Sequence, residues 1–138
     1  MKKISAAGFI VIKPSFEEVL VLMKDGEGDL PKGKIDDNED PLSAAIRECF
    51  EETSIRLRQA SILKPYFFDY KGMRFYIAIQ DGYPRVSPNP ETGILEHDIV
   101  FWATWKEALE IMPYWLKPAI KYGHTISKLL GYKNDVNF

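Results

Sequence analysis

The order of apolar and polar residues along the chain predicts short strands separated by turns and interrupted by one long helix. Runs rich in β-branched and aromatic residues, bounded by turn-forming residues, are typical of strands. Five such runs occur, at residues 4–13, 18–24, 62–70, 73–80 and 98–103. Pro14 and Ser15 predict a turn between the first two runs, and Lys71 and Gly72 predict a hairpin between the third and fourth. Residues 25–28 predict a further turn.

The segment 41–53 has its apolar residues at helical spacing. One buried stripe consists of Leu42, Ala45, Ile46, Cys49 and Phe50. Asp40 is a favourable N-cap, and Pro41 suits the first helical turn. A short helix is predicted at residues 105–112, a final helical region at 113–130 and an exposed loop at 81–97. Strands mixed with two main helices predict an α/β fold in which helices cover both faces of a sheet.

The face of the 41–53 helix opposite the apolar stripe is strongly charged. At about 100° per residue, this arc contains Arg47, Glu48, Glu51 and Glu52. Carboxylates one helical turn apart repel each other, and a hard cation such as Mg²⁺, which prefers oxygen ligands, removes that repulsion. A solvated acidic helix face is the alternative interpretation. The fixed spacing from Gly33 to the charged arc disfavours it.

Residues 33–55 fit a longer pattern: Gly, five spacers, Glu, seven spacers, then Arg-Glu-apolar-x-Glu-Glu-x-Gly-apolar, at every position but one. The fixed positions are Gly33, Glu39, Arg47, Glu48, Glu51 and Glu52. This pattern resembles the signature of the Nudix hydrolases, Mg²⁺-dependent enzymes that cleave a diphosphate linkage in a nucleoside diphosphate joined to another group. The resemblance implies an α/β/α sandwich with a mixed β-sheet between helices, as a single domain over residues 1–138.

The resemblance also implies roles for these residues. Glu48, Glu51 and Glu52 are the expected metal ligands, with the backbone carbonyl of Lys32, and one carboxylate could double as a base. The expected cation is Mg²⁺, with Mn²⁺ as an alternative. Arg47, also expected in the catalytic set, would orient Glu51 through a charge-assisted hydrogen bond.

Two further positions of the pattern have expected structural roles, and two positions depart from its commonest form. Gly33 would let the loop approach the metal and phosphate, and Glu39 would tie the loop to the helix. Cys49 replaces an aliphatic residue and should pack as a small hydrophobe. Ser54 replaces the Gly that ends the helix, where we expect a left-handed conformation. Neither departure removes a carboxylate, so we expect an active enzyme.

Outside this segment, the chain is most similar to the dinucleoside tetraphosphate hydrolases within the family. The similar segments are 6–8, 31–33 and 95–112. Lys34 stands where those enzymes often carry a His, and Lys32 and Lys34 are candidate phosphate contacts. Glu96 is the candidate for completing the metal site or acting as general base, although a solvated loop carboxylate, like Glu91, is the alternative. His97 could bind phosphate or shuttle a proton, with a packing or exposed His as the alternative.

The strand at 73–80 is the candidate for base recognition. Alternation puts Arg74, Tyr76, Ala78 and Gln80 on one face. Tyr76 could stack on a nucleobase while Arg74 meets phosphate. Because aromatic residues in strands are most often buried, a core position for Tyr76 is the alternative.

Composition narrows the function further. The net charge of −2 gives no general attraction to nucleic acid, so duplex binding is not expected. The single Cys cannot form an internal disulfide, and no apolar run approaches membrane-spanning length. We therefore expect a cytoplasmic monomer or weak homodimer that acts on a small nucleotide.

The expected reaction is hydrolysis of a di- or polyphosphate chain. The first candidate substrate is a dinucleoside tetraphosphate, with diadenosine tetraphosphate split into ATP and AMP. Nucleoside triphosphates, nucleotide sugars and 5′-triphosphate RNA ends are the alternatives. From another functional class, a Nudix-fold module that binds a nucleotide without hydrolysing it also remains open.

Overall fold

The computed structural model describes residues 3–135 as seven strands, three α-helices and one short 3₁₀ turn. The strands are β1 (Ala6–Ile12), β2 (Glu18–Lys24), β3 (Glu27–Asp29), β4 (Lys32–Lys34), β5 (Ile62–Tyr70), β6 (Met73–Ile79) and β7 (Ile99–Thr104). The helices are α1 (Pro41–Thr53), α2 (Trp105–Ile111) and α3 (Lys117–Asp135), with the 3₁₀ turn at Gln59–Ser61. No helix within the described range is long and apolar enough to cross a bilayer.

The strands form a mixed sheet centred on β1. β1 pairs in parallel with β6, with Phe9 beside Tyr76, and antiparallel with β4, with Ala7 beside Gly33. β2 pairs antiparallel with β1, β3 and β7, and β5 pairs antiparallel with β6. The pairing of β1 with β4 brings the loop that contains Gly33 to the centre of the sheet.

Two hydrophobic cores lie on opposite faces of this sheet. On one face, Ile10 and Phe75 pack with residues of α2 and α3, including Ala108 and Ile120. On the other face, a second core packs against α1; its sheet and helix members include Ala7, Phe9, Val11, Tyr76, Ala78, Ala44, Ala45 and Cys49. Of the predicted stripe, Leu42 and Ile46 are partly buried against this core, but the prediction was wrong for Phe50, which is 40% exposed. This arrangement confirms the predicted α/β/α sandwich.

The ends of α1 follow from its sequence. The Asp40 side chain accepts a hydrogen bond from the Ser43 N–H, and Pro41 occupies the first turn. The helix ends at Ser54, which has a left-handed backbone with φ 65° and whose N–H bonds to the Phe50 carbonyl. The left-handed C-terminus expected at Ser54 is therefore confirmed.

Most predicted elements are confirmed, with shifts of a few residues at their ends, but two predictions are confirmed only in part. Asp25 and Gly26 form the predicted turn, whereas Glu27 and Gly28 belong to β3, which pairs with β2. The final helix begins at Lys117, because the preceding residues form a separate turn in which the Leu116 N–H bonds to the Pro113 carbonyl. Three-residue strands such as β3 and β4 depend on backbone pairing with distant strands and leave little pattern in the sequence.

Candidate active site

Gly33 allows the β4 loop to lie directly against α1. A Cβ atom built on Gly33 would overlap the carboxyl group of Glu48, so any larger residue would displace this carboxylate or the loop. The close approach therefore depends on the absence of a side chain at position 33. It forms one wall of a cleft between the loop and the charged face of α1.

Arg47 holds the charged residues of this cleft together. Its Nε and Nη2 donate to the two carboxylate oxygens of Glu39, at 2.9 and 3.0 Å. Nη1 donates to Glu48 and Glu51, each at 3.0 Å, and Nη2 also donates to the Lys34 carbonyl at 3.0 Å. The Arg47 hydrogen bond is the main reason that the pKa of Glu39 lies below its usual value. One guanidinium thus links the loop, the helix and three carboxylates.

Glu52 is the most enclosed carboxylate of the cleft, with its side chain 11% exposed. Burial, together with the nearby Asp29 and Glu48 carboxylates, raises its pKa from 4.5 to about 8, although the Lys32 N–H donates to its Oε1 at 2.9 Å. Burial also raises the pKa of Glu48, against the opposing effect of Arg47. Buried carboxylates with too little compensating positive charge are a donor set that suits a hard divalent cation.

A second polar group borders Glu52 on the side of β3. His97 is 8% exposed, and its Nε2 lies 3.0 Å from Asp29 Oδ2. The Lys32 ammonium contacts Asp29 Oδ1 at 2.9 Å. Burial opposes ionisation of Asp29, but the hydrogen bonds from His97 and Lys32 outweigh it and keep the Asp29 pKa below its usual value. Sequence reasoning missed Asp29, which ends the strand that was predicted as a turn.

The loop at 81–97 closes the cleft from the other side. It is attached to the end of α1 by two hydrogen bonds, from the Arg85 N–H to the Thr53 carbonyl at 2.8 Å and from Ser54 Oγ to the Arg85 carbonyl at 3.0 Å. Near its end, Asn89 Nδ2 donates to Glu96 Oε1 at 3.0 Å. The resulting cleft has a volume of about 270 Å³ and is lined by Lys32, Gly33, Lys34, Asp36, Arg47, Glu48, Glu51, Glu52, Asn89, Glu91 and Glu96.

The residues predicted to recognise the base are not among those that line this cleft. Tyr76 is 8% exposed and packs against Phe9, with ring centroids 5.8 Å apart. Arg74 makes a two-pronged contact with Asp69, at 2.7 and 2.8 Å, and lies over the Phe67 ring. A buried ring offers no open face to a nucleobase. This geometry corrects the base-platform prediction in favour of the core alternative.

A second cavity, of about 340 Å³, lies beside the cleft. It is lined by Lys24, Asp25, Glu27, Gly28, Asp29, Lys32, Pro113 and Trp115. Lys32 lines both spaces, and its Nζ lies 5.7 Å from the centre of the Trp115 ring. The second cavity therefore has an aromatic wall and carboxylates, and it borders the acidic cleft at Lys32.

Comparison with known proteins gives this geometry a family context. A family model described as the NUDIX domain matches residues 2–124. An RNA pyrophosphohydrolase of Bartonella henselae is 51% identical over 41 residues, which are 30% of this chain and 24% of that protein. The match therefore spans about a quarter of that relative's length.

Solved structures show the same fold. An Ap4A hydrolase of C. elegans, in a binary complex, is 22% identical with a TM-score of 0.68, covering 89% of this chain and 96% of that chain. A MutT NUDIX hydrolase of Burkholderia pseudomallei is 21% identical with a TM-score of 0.66, covering 88% and 98%. Since the family model covers most of the sequence and the fold agrees, the chain belongs to the Nudix domain family.

Proposed function

We propose that this protein is a Nudix pyrophosphohydrolase, formed by a single domain over residues 1–138, that cleaves a diphosphate linkage in a nucleoside di- or polyphosphate. The observation that carries the proposal is the convergence of Glu48, Glu51 and Glu52 on one cleft, opposite a loop that only Gly33 allows to come so close. The cleft has more carboxylates than cations, which would repel a phosphate chain. A substrate rich in phosphate therefore requires a bound cation as partner.

The three glutamates, with the backbone carbonyl of Lys32, would hold Mg²⁺ or Mn²⁺. When bound, such a cation offsets the negative charge of the phosphoryl oxygens and polarises the attacking water. The raised pKa values of Glu48 and Glu52 support this assignment, because a positive ion is the missing partner of both carboxylates.

The other groups of the cleft would bind and orient the reactants. Arg47 fixes Glu48 and Glu51 through hydrogen bonds and so acts as a positioning residue. Lys34 lines the cleft and supplies a cation for the phosphate chain. Glu96, held by Asn89, is the candidate to complete the metal site.

The shape around the cleft supports a proposal for the substrate class. A phosphate chain in the acidic cleft can pass Lys32 and present one nucleoside to the second cavity, where the Trp115 ring offers a stacking face. The opposite end of the chain would then remain at the open side of the cleft, where a second nucleoside would lie. We therefore propose a dinucleoside tetraphosphate as the first substrate, with diadenosine tetraphosphate cleaved into ATP and AMP.

One alternative is supported by a specific observation, because the 41-residue similarity to an RNA pyrophosphohydrolase favours a 5′-triphosphate RNA end. Nucleoside triphosphates and nucleotide sugars are further alternatives within the same reaction class. A nucleotide-binding module without activity is disfavoured by the complete set of carboxylates. We propose that the enzyme acts in the cytoplasm as a monomer or weak homodimer.

The test is a substrate panel with purified protein and either Mg²⁺ or Mn²⁺. Diadenosine tetraphosphate, nucleoside triphosphates, nucleotide sugars and a short 5′-triphosphate RNA are compared at equal concentration, and products are separated by ion-exchange chromatography. We expect ATP and AMP in equal amounts as the fastest reaction. The Glu52→Gln variant, purified in parallel, controls for contaminating phosphatases.

Three results would contradict parts of the proposal. Two molecules of ADP would contradict the asymmetric cleavage. Faster turnover of another substrate in the panel would replace the dinucleoside assignment while leaving the hydrolase assignment in place. No cleavage of any substrate by the folded protein, with measurable nucleotide binding, would favour the binding module.

A further inference from the structure

The surroundings of His97 are unusual for a buried histidine. The residue is 8% exposed, yet the groups around its ring are carboxylates of Asp29, Glu52 and Glu96. One ligand atom each of Glu52, Glu96 and His97 lie within 4.8 Å of one another. Glu52 and Glu96 belong to the cleft described above, whereas the His97 side chain adds a nitrogen donor to it.

The contacts of the His97 ring determine which of its two nitrogens can bind a metal ion. Nε2 lies at hydrogen-bond distance from Asp29, whose other oxygen contacts the Lys32 ammonium. We assign Nε2 as the N–H donor because it faces the Asp29 carboxylate, whereas Nδ1 faces Glu52 and can offer its lone pair. A carboxylate that accepts from one ring nitrogen while the other faces a metal is a recurring arrangement around metal-binding histidines.

His97 Nδ1 and one carboxylate oxygen of Glu52 face each other across a gap. His97 Nδ1 lies 3.9 Å from Glu52 Oε2, which is too long for a hydrogen bond. The other oxygen of Glu52 is already engaged by the Lys32 N–H. Two ligands of one cation, with bonds of about 2.1 Å, can be separated by up to about 4.2 Å, so the gap suits two ligands of a shared ion.

We propose that His97 Nδ1 is a nitrogen ligand of a divalent cation that is shared with Glu52 and Glu96, and that Asp29 is the positioning residue that orients the ring. This inference rests on the proposed function, since it assigns a donor to the same active site. An imidazole nitrogen suits Mn²⁺ better than Mg²⁺, which prefers oxygen ligands alone. The His97 nitrogen therefore contributes more to Mn²⁺ binding than to Mg²⁺ binding.

Pulsed EPR of Mn²⁺-loaded protein tests this directly, because a coordinated imidazole nitrogen modulates the electron spin echo. The chain contains two histidines, so protein without an affinity tag has only His97 and His124 as sources of such a signal. His124 stacks on Trp105 and is the matched control. We expect the nitrogen modulation in the wild type and in His124→Gln. The absence of modulation in wild-type protein whose EPR spectrum shows bound Mn²⁺, or its loss in His124→Gln, would overturn the proposal.

Metal affinity gives a second readout. We expect His97→Gln to weaken Mn²⁺ binding, measured by calorimetry, by at least about 10-fold, and to change Mg²⁺ binding much less. Asp29→Asn, which leaves His97 in place, should weaken Mn²⁺ binding by roughly 10-fold and reduce the nitrogen modulation. Equal losses for both ions in His97→Gln would contradict nitrogen ligation. Hydrolysis of the substrate panel by wild-type protein that shows no nitrogen modulation would reject this inference and leave the proposed function standing.

Discussion

Helix α1 and the β5–β6 hairpin each contain an arginine that is paired with carboxylate, but only the α1 region lines the candidate active site. Arg47 is surrounded by Glu39, Glu48 and Glu51, while Arg74 is paired with Asp69 alone. In the hairpin, Arg74 and Asp69 neutralise each other, and the neighbouring Tyr76 is buried. In the helix region, negative charge remains in excess and faces a cleft. Uncompensated charge beside an open space, rather than the presence of charged and aromatic residues, therefore distinguishes the candidate site.

The largest effect should come from a substitution in the hairpin. We expect it to lower the stability of the protein without changing its catalysis. Tyr76→Ala removes a buried ring that packs against Phe9, so we expect a loss of roughly 3 kcal/mol or more in the free energy of unfolding. KM of the folded variant should not change. Urea denaturation and steady-state kinetics measure the two quantities, with Tyr76→Phe as the control that keeps the ring. A raised KM with unchanged stability would restore Tyr76 as a base-binding residue.

The two regions should also differ in their effect on kcat when one carboxylate of each is neutralised. Glu52→Gln should lower kcat by at least about 10²-fold, or about 2.7 kcal/mol in the activation barrier, because the metal loses a ligand. Asp69→Asn breaks the Arg74 pair and should leave kcat unchanged, at a cost of less than about 1 kcal/mol in stability. Initial rates at saturating Mg²⁺ measure both. Similar activity in the two variants would mean that Glu52 does not serve the reaction.

The pH dependence of stability should show the excess charge of the cleft. The pKa of Glu52 is about 8 in the folded protein against an ordinary value of 4.5, so between these values the folded state binds more protons than the unfolded state. Stability of the metal-free protein should therefore fall as the pH rises, by about 2 kcal/mol from about pH 6 to about pH 7.5.

Chemical denaturation in the presence of EDTA measures this slope. Glu52→Gln should flatten it, and saturating Mg²⁺ should restore stability more at the higher pH, because the cation binds the ionised carboxylate. A slope that is unchanged in Glu52→Gln would show that another group is responsible.

The smallest change in stability is expected at the C-terminal end of α1. Ser54→Gly relieves the left-handed strain, worth about 1 kcal/mol, but loses the hydrogen bond to the Arg85 carbonyl, worth a similar amount, so stability should change by less than about 0.5 kcal/mol. Ser54→Ala keeps the strain and loses the bond, and it should be about 1 kcal/mol less stable than the wild type. Urea denaturation of the three proteins separates these terms. Equal stability of the Ala and Gly variants would mean that the backbone at position 54 is not strained.

The sequence by itself determined the features that depend on residues close together in the chain. The spacing of apolar residues predicted α1 and most of its buried face, with Phe50 as the exception, and the 33–52 motif predicted the close approach of the Gly33 segment to the charged face of the helix. These predictions succeed because helical periodicity and a motif within twenty residues are local properties. The alternation of β6 likewise predicted correctly which residues share a face of the sheet.

Tertiary structure decided the rest, because it depends on contacts between distant residues. Alternation shows which residues share a sheet face but not where along that face a helix packs, so the burial of Tyr76 required the position of α1. Asp29 and His97 are 68 positions apart, and their contact follows from the way β3 and the 81–97 loop meet beside α1. A local sequence pattern does not relate residues so far apart in the chain. The contact that orients the His97 ring could therefore be found only in the folded protein.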